Sequence, residues 1–167
     1  MSEFSFQNFA LERWISIPGC QQKGACIGLD WGKKRLGLAV SDDEKKIALP
    51  LKVLERKSDR WVFEQIKDVY QDYKCVGIVV GWPLLLDSTE GKNCQKVQQF
   101  VLRMAAFSPW PLALWDERLS SGAVQALRGG HKDDQIDHHA AAVILQGALD
   151  RWHGLMSAAY GASEEDV

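Results

Sequence analysis

Carboxylates stand at three places where the pattern expects a buried strand end or a packed helix face. Asp30 ends the apolar part of ACIGLDW (residues 25–31), Asp116 and Glu117 directly follow PLALW (111–115), and Asp137 opens DHHAAAVILQ (137–146). Each has a plain structural reading. Asp30 can begin a polar turn before Gly32, and an acid in the first turn of a helix complements its dipole. On a helix, however, Asp137 shares a face with Ala141, Ile144 and Ala148. A carboxylate on such a face is costly unless its charge is compensated. If the three places converge, the acids repel one another and a divalent cation removes the repulsion. Mg2+ prefers oxygen ligands and keeps several waters. Two such ions about 4 Å apart activate a water and stabilise the leaving oxygen of a phosphodiester.

Convergence depends on the elements that carry the acids. ACIGLDW and RLGLAVSD (35–42) are apolar runs separated by a short Gly-containing turn, and KIALPLKVLE (46–55) follows after Asp42-Asp43-Glu44. Three strands joined this tightly are antiparallel. Pro50 places the third at an edge or on a bulge. From Ser58 the period changes, with Val62, Ile66, Val69 and Tyr73 at helical spacing. CVGIVV (75–80) reads as a central strand covered on both faces, ended by Gly81-Trp82-Pro83. A helix over about 89–106 carries Val97, Val101 and Met104 on one stripe, and PLALW is the last strand. A short helix from Ser121, a polar loop at Gly129-Gly130 and a final helix over about 136–152 complete the body. The order βββαβαβαα predicts an α/β fold, a mixed five-stranded sheet flanked by helices. Ligands in such sheets bind beyond the carboxyl ends of the strands. If the first and last strands are parallel, Asp30 and Asp116-Glu117 share one rim.

The chain has 167 residues, room for one domain and little more. The expected division is an N-terminal extension (1–24), a body (25–153) and a tail (154–167). No apolar run is long enough to span a membrane, and the first residues lack the pattern of a signal peptide, so a cytoplasmic protein is expected. Cys20, Cys26, Cys75 and Cys94 show no metal-site spacing and read as reduced, structural thiols. The net charge of −2 does not announce a nucleic-acid binder. Bases nevertheless gather at Lys33-Lys34-Arg35, Lys45-Lys46 and Arg56-Lys57 with Arg60.

GLDWGKKRLGLAVSD, VVGWPLLLDSTEG, LWDERLSS and DHHAAAVILQ, in this order, resemble the motif series of the YqgF/RuvX family from about Ala25 to Trp152. The resemblance implies a ribonuclease H-like fold and kinship with Holliday junction resolvases. It implies a nuclease that resolves branched DNA, or trims the 5′ end of precursor 16S ribosomal RNA, or both. The family's metal-binding acids then correspond to Asp30, to Asp116 or Glu117, and to Asp137, with two Mg2+ or Mn2+ ions as cofactor. Adjacent residues on an extended segment face opposite ways, and Glu117 is preferred to Asp116 as the direct ligand. Arg118 would reach a phosphate oxygen through its fork, or pair with a neighbouring acid. Ser120 and Ser121 would cap a helix whose N-terminus faces phosphate, and Lys33, Lys34 and Arg35 would contact the nucleic-acid backbone. The implied partners are precursor rRNA or branched DNA, a pre-ribosomal particle, and a second copy of the chain for symmetric junction cutting. His138 and His139 depart from the family's small or apolar residues, and Asp87-Ser88-Thr89 lacks a glycine usual there. Trp31 and Trp82 offer rings for base stacking, against the commoner use of tryptophan in packing.

Two other classes fit parts of the pattern. Actin-like ATPases and sugar kinases place Asp-x-Gly at a first hairpin, but they need two such domains and this chain has room for one. A non-catalytic binder or ribosome-assembly factor could share the fold, because fold does not prove function.

Overall fold

The computed structural model describes residues 4–83, 91–117 and 138–161. Strands β1 (Ala25–Trp31), β2 (Arg35–Ser41), β3 (Ala48–Glu55), β4 (Cys75–Trp82) and β5 (Leu112–Asp116) form one sheet in the order β3-β2-β1-β4-β5. The first three are antiparallel, while β4 pairs parallel with both β1 and β5. Short turns allow only antiparallel neighbours. Helices α2 (Asp59–Asp72) and α3 (Lys92–Phe107) supply the crossovers that parallel pairing requires. Pro50 satisfies both expectations, since β3 is an edge strand and its register against β2 shifts beside it, Leu38 facing Lys52 and Ala39 facing Pro50.

Strand alternation divides the core into two layers. Ile27, Leu29, Ile78, Val80, Leu112 and Leu114 meet Val62 and Ile66 of α2 and Phe100 and Met104 of α3. Cys26, Ala39, Val79 and Ala113 face the other way. They meet α4 (His138–Tyr160) through its expected stripe of Ala141, Ile144 and Ala148. The residues beneath α4 are small, so the helix comes close. A Cβ added at Gly28 would stand 2.6 Å from Leu145 Cβ and 2.8 Å from the Ala141 carbonyl oxygen.

Several boundaries differ from the sequence expectations. Ser58 is the N-cap of α2, its side chain accepting from the Trp61 N–H. Tyr73 falls beyond the helix and is exposed. The fourth strand runs through Gly81 and Trp82 instead of stopping before them. The last helix continues past Trp152 to Tyr160 because Leu155 and Met156 still pack against the second layer. The start of α3 near Thr89, the helix from Ser121 and the loop at Gly129-Gly130 lie outside the described residues.

The N-terminal extension is part of the core. Two 3-10 turns (Phe6–Phe9 and Leu11–Ser16) and helix α1 (Pro18–Gln21) follow one another, and both turns lie against the edge strand β5. Trp14 is buried, its ring resting on Gly77 and edge-on to Trp152. Covering an edge strand in this way removes a template for unwanted pairing. All four cysteines are buried thiols. Burial pushes the Cys20 thiol up to about 11 and those of Cys26 and Cys75 up to about 12. At neutral pH these three are protonated and chemically quiet. No described helix is long and apolar enough to cross a membrane.

Candidate active site

Because β1, β4 and β5 are parallel, their carboxyl ends form one rim. Leu29 pairs with Val80, Gly81 with Trp115 and Trp82 with Asp116. Continuing the first pairing by one residue sets Asp30 level with Gly81. Asp30 and Glu117 are the two buried acids among the described residues, 1% and 8% exposed.

The two acids occupy the same face. Cys26 and Gly28 of β1 point towards α4, so Asp30, two residues further, does as well. On β5, Ala113 and Trp115 belong to that layer, while Leu112 and Leu114 belong to the other. Alternation therefore sends Asp116 towards the α2/α3 side, where it is half-buried. Glu117 returns to the α4 side, and its Oε1 lies 2.5 Å from where a Cβ on Gly81 would be, with Ile144 Cδ1 at 2.9 Å. The Glu117 carboxylate thus rests on bare glycine backbone, one strand away from Asp30.

Gly81 is the site residue that sequence reasoning missed, having read it as the strand's stop. Its signal was a glycine at the end of an apolar strand, which marks close approach as readily as a break. Gly81→Ala must displace the Glu117 carboxylate. The expected result is turnover at this site lower by about tenfold or more with the fold retained, the overpacking itself costing little because it meets only the ends of flexible side chains. Turnover measured beside thermal unfolding separates the two effects.

Of the other predicted site residues, Lys33 and Lys34 are exposed and Arg35 is half-buried on the turn between β1 and β2. The Gly32 N–H donates to the Arg35 carbonyl across that turn at 2.9 Å. The basic turn therefore adjoins the rim that carries Asp30. The pair Lys45-Lys46 lies elsewhere. Lys45 is buried and donates from Nζ to the Gln22 carbonyl at 2.6 Å, and Lys46 pairs with Glu44. Asp137, Arg118, Ser120 and Ser121 lie outside the described residues. Among those described, no three His, Cys, Asp or Glu side chains are grouped to hold a metal. Asp30 and Glu117 present oxygen donors only, which suits a hard cation such as Mg2+ or Mn2+ that completes its shell with water. The rings of His138 and His139 stack 4.7 Å apart at the start of α4.

The tryptophans serve packing. Trp82 is 1% exposed, with Phe4 stacked on it at 5.4 Å and Phe6 edge-on at 5.8 Å. Trp31 is half-buried beneath the Arg56 guanidinium.

Comparisons with known proteins give the family and the fold. Residues 24–151 match the family described as RuvX, Holliday junction resolvase. The chain is 36% identical over 148 residues to the "Putative pre-16S rRNA nuclease" of Bradyrhizobium sp. strain BTAi1, covering 85% of this chain and 88% of that relative. The protein of the same name from Rhodospirillum centenum is 36% identical over 167 residues, 93% of this chain and 87% of its own length. Among solved structures, RuvC of Thermus thermophilus in complex with a Holliday junction substrate superposes with a TM-score of 0.50 at 14% identity. That match covers 82% of this chain and 96% of the other, a likeness of fold. With its mixed sheet, its acids at the carboxyl rim and these matches, the chain belongs to the RuvX family and has a ribonuclease H-like fold.

Proposed function

We propose that the chain is a divalent-metal-dependent nuclease that hydrolyses phosphodiester bonds of structured nucleic acid. Trimming of the 5′ end of precursor 16S rRNA is the leading reaction, and Holliday junction cleavage is the second. The observation that carries the reading is the pair of buried carboxylates, Asp30 and Glu117, on one face of the sheet's carboxyl rim with a basic turn beside them. The names of the curated relatives favour the RNA substrate, and the family description supports the junction.

In this reading Asp30 and Glu117 hold Mg2+ or Mn2+, two ions in the full site, with Asp137 as the third acid. A metal held there would supply a lowered pKa for an attacking water and stabilisation for the leaving oxygen. Asp116, on the opposite face, is not a direct ligand. Lys33, Lys34 and Arg35 neutralise backbone phosphates and set the substrate's register. Arg118, Ser120 and Ser121 contact the phosphate that is cut. Hydrolysis in line leaves a 5′-phosphate and a 3′-hydroxyl. A cytoplasmic pre-ribosomal particle is the setting for the RNA reaction, and a homodimer the form suited to symmetric junctions.

The test is a cleavage panel. Purified protein is given 5′-extended 16S precursor RNA and four-way junction DNA with Mg2+, Mn2+ or chelator. Cleavage that requires metal and leaves 5′-phosphate ends is expected. Binding of RNA without cleavage under every metal would make the chain a non-catalytic assembly factor instead.

A further inference from the structure

From the geometry around the turn after β1 we infer that Arg56 is a positioning residue, holding that turn in one conformation beside Asp30. Lys33, Lys34 and Arg35 then meet the nucleic-acid backbone as a preformed surface. The inference rests on the nuclease reading above and extends it to a residue outside the motif series.

Three consecutive carbonyls of the turn accept hydrogen bonds from this one residue. Arg56 Nη1 donates to the carbonyls of Gly32 at 3.0 Å and Lys33 at 3.3 Å. Its backbone N–H donates to the carbonyl of Lys34 at 2.7 Å. Nη2 pairs with Asp59 Oδ1 at 3.2 Å, and Asp59 Oδ2 is held by Arg103 Nε at 2.6 Å. The guanidinium lies 4.7 Å from the centre of the Trp31 ring and 5.6 Å from that of Phe100. With only 14% of its side chain exposed, Arg56 is shaped to bind the protein's own turn rather than substrate.

A short hairpin does not need this apparatus, because a few backbone bonds and the twist of the strands close it. The composition of this turn explains the difference. Carbonyl oxygens left exposed on this basic turn would repel phosphate, and a guanidinium that takes up two of them removes that repulsion. The brace acts close to the chemistry, since Trp31, on which Arg56 stacks, follows Asp30 directly and faces the opposite side of the same strand. Lysine cannot substitute, having neither the plane to stack nor the fork that reaches the carbonyls from one nitrogen and Asp59 from the other.

Arg56→Lys and Arg56→Met test this in the full chain, on whichever substrate the wild type cleaves. KM is expected to rise about tenfold in both, the scale of a lost charge-assisted contact, with kcat within about twofold of wild type. The slope of log binding constant against log salt should shrink by about one phosphate contact. Asp59→Asn keeps the stack but loosens the guanidinium. It should raise KM by about threefold, in keeping with one weakened ion pair, and it serves if the Arg56 variants do not fold. Wild-type KM and salt slope in folded variants, or a loss confined to kcat, would overturn the role of Arg56 while leaving the nuclease intact. A wild-type chain that binds no nucleic acid overturns both.

Discussion

Asp30→Asn is expected to reduce metal-dependent cleavage by a thousandfold or more without unfolding the protein. The size follows from what the carboxylate does in the proposed site. Metal stabilisation of a phosphodiester transition state supplies several kcal/mol, and each 1.36 kcal/mol is about a factor of ten in rate. Asparagine keeps the shape of the side chain and one oxygen, but it loses the negative charge that holds the cation. Folding is expected to be spared because asparagine keeps the size and shape of the buried aspartate side chain, and the melting temperature of the metal-free variant checks it. Adding Mg2+ or Mn2+ should raise the melting temperature of the wild type and leave that of the variant nearly unchanged, since a ligand stabilises only the state that binds it. Wild-type cleavage by folded Asp30→Asn protein would remove Asp30 from the site.

Glu117→Gln and Asp116→Asn should separate by about a hundredfold in cleavage although the residues are neighbours. Glu117 lies over Gly81 on the α4 side, and alternation turns Asp116 towards the α2/α3 side. Loss of charge at Glu117 therefore removes a ligand from the face that holds Asp30. Loss at Asp116 alters a half-buried residue on the opposite face, so its effect falls on stability rather than on the metal. Rates for the two variants at saturating metal, and the metal concentration each needs for half activity, are the measurements. Equal losses would mean that both acids serve the metal, and an inverted order would assign the ligand to Asp116.

Much of this was legible in the residues. The strand runs, the edge position of Pro50 and the buried stripes of α3 and α4 follow from periods of two and 3.6 residues and from local turn chemistry. The rim itself was legible too. Short turns enforce antiparallel neighbours and helical crossovers enforce parallel ones, so Asp30 and Glu117 had to finish at one end of the sheet. The extension was less readable. Its aromatic residues signalled packing, but their seat against β5, Gly77 and Trp82 depends on surfaces far along the chain.

By itself, then, the sequence determined which strands carry Asp30 and Glu117 and which end of the sheet those strands reach, because both depend on interactions between near neighbours in the chain. The tertiary structure decided which acids share a face, and which residue holds the turn beside them. Glu117 shares the α4 side with Asp30 because the pleat and register of β5 against β4 turn it over Gly81. Arg56 reaches Gly32 only after β3 has folded back along β2. Register and pleat phase between separate strands are set by the packing of the whole core, which no local stretch of residues encodes.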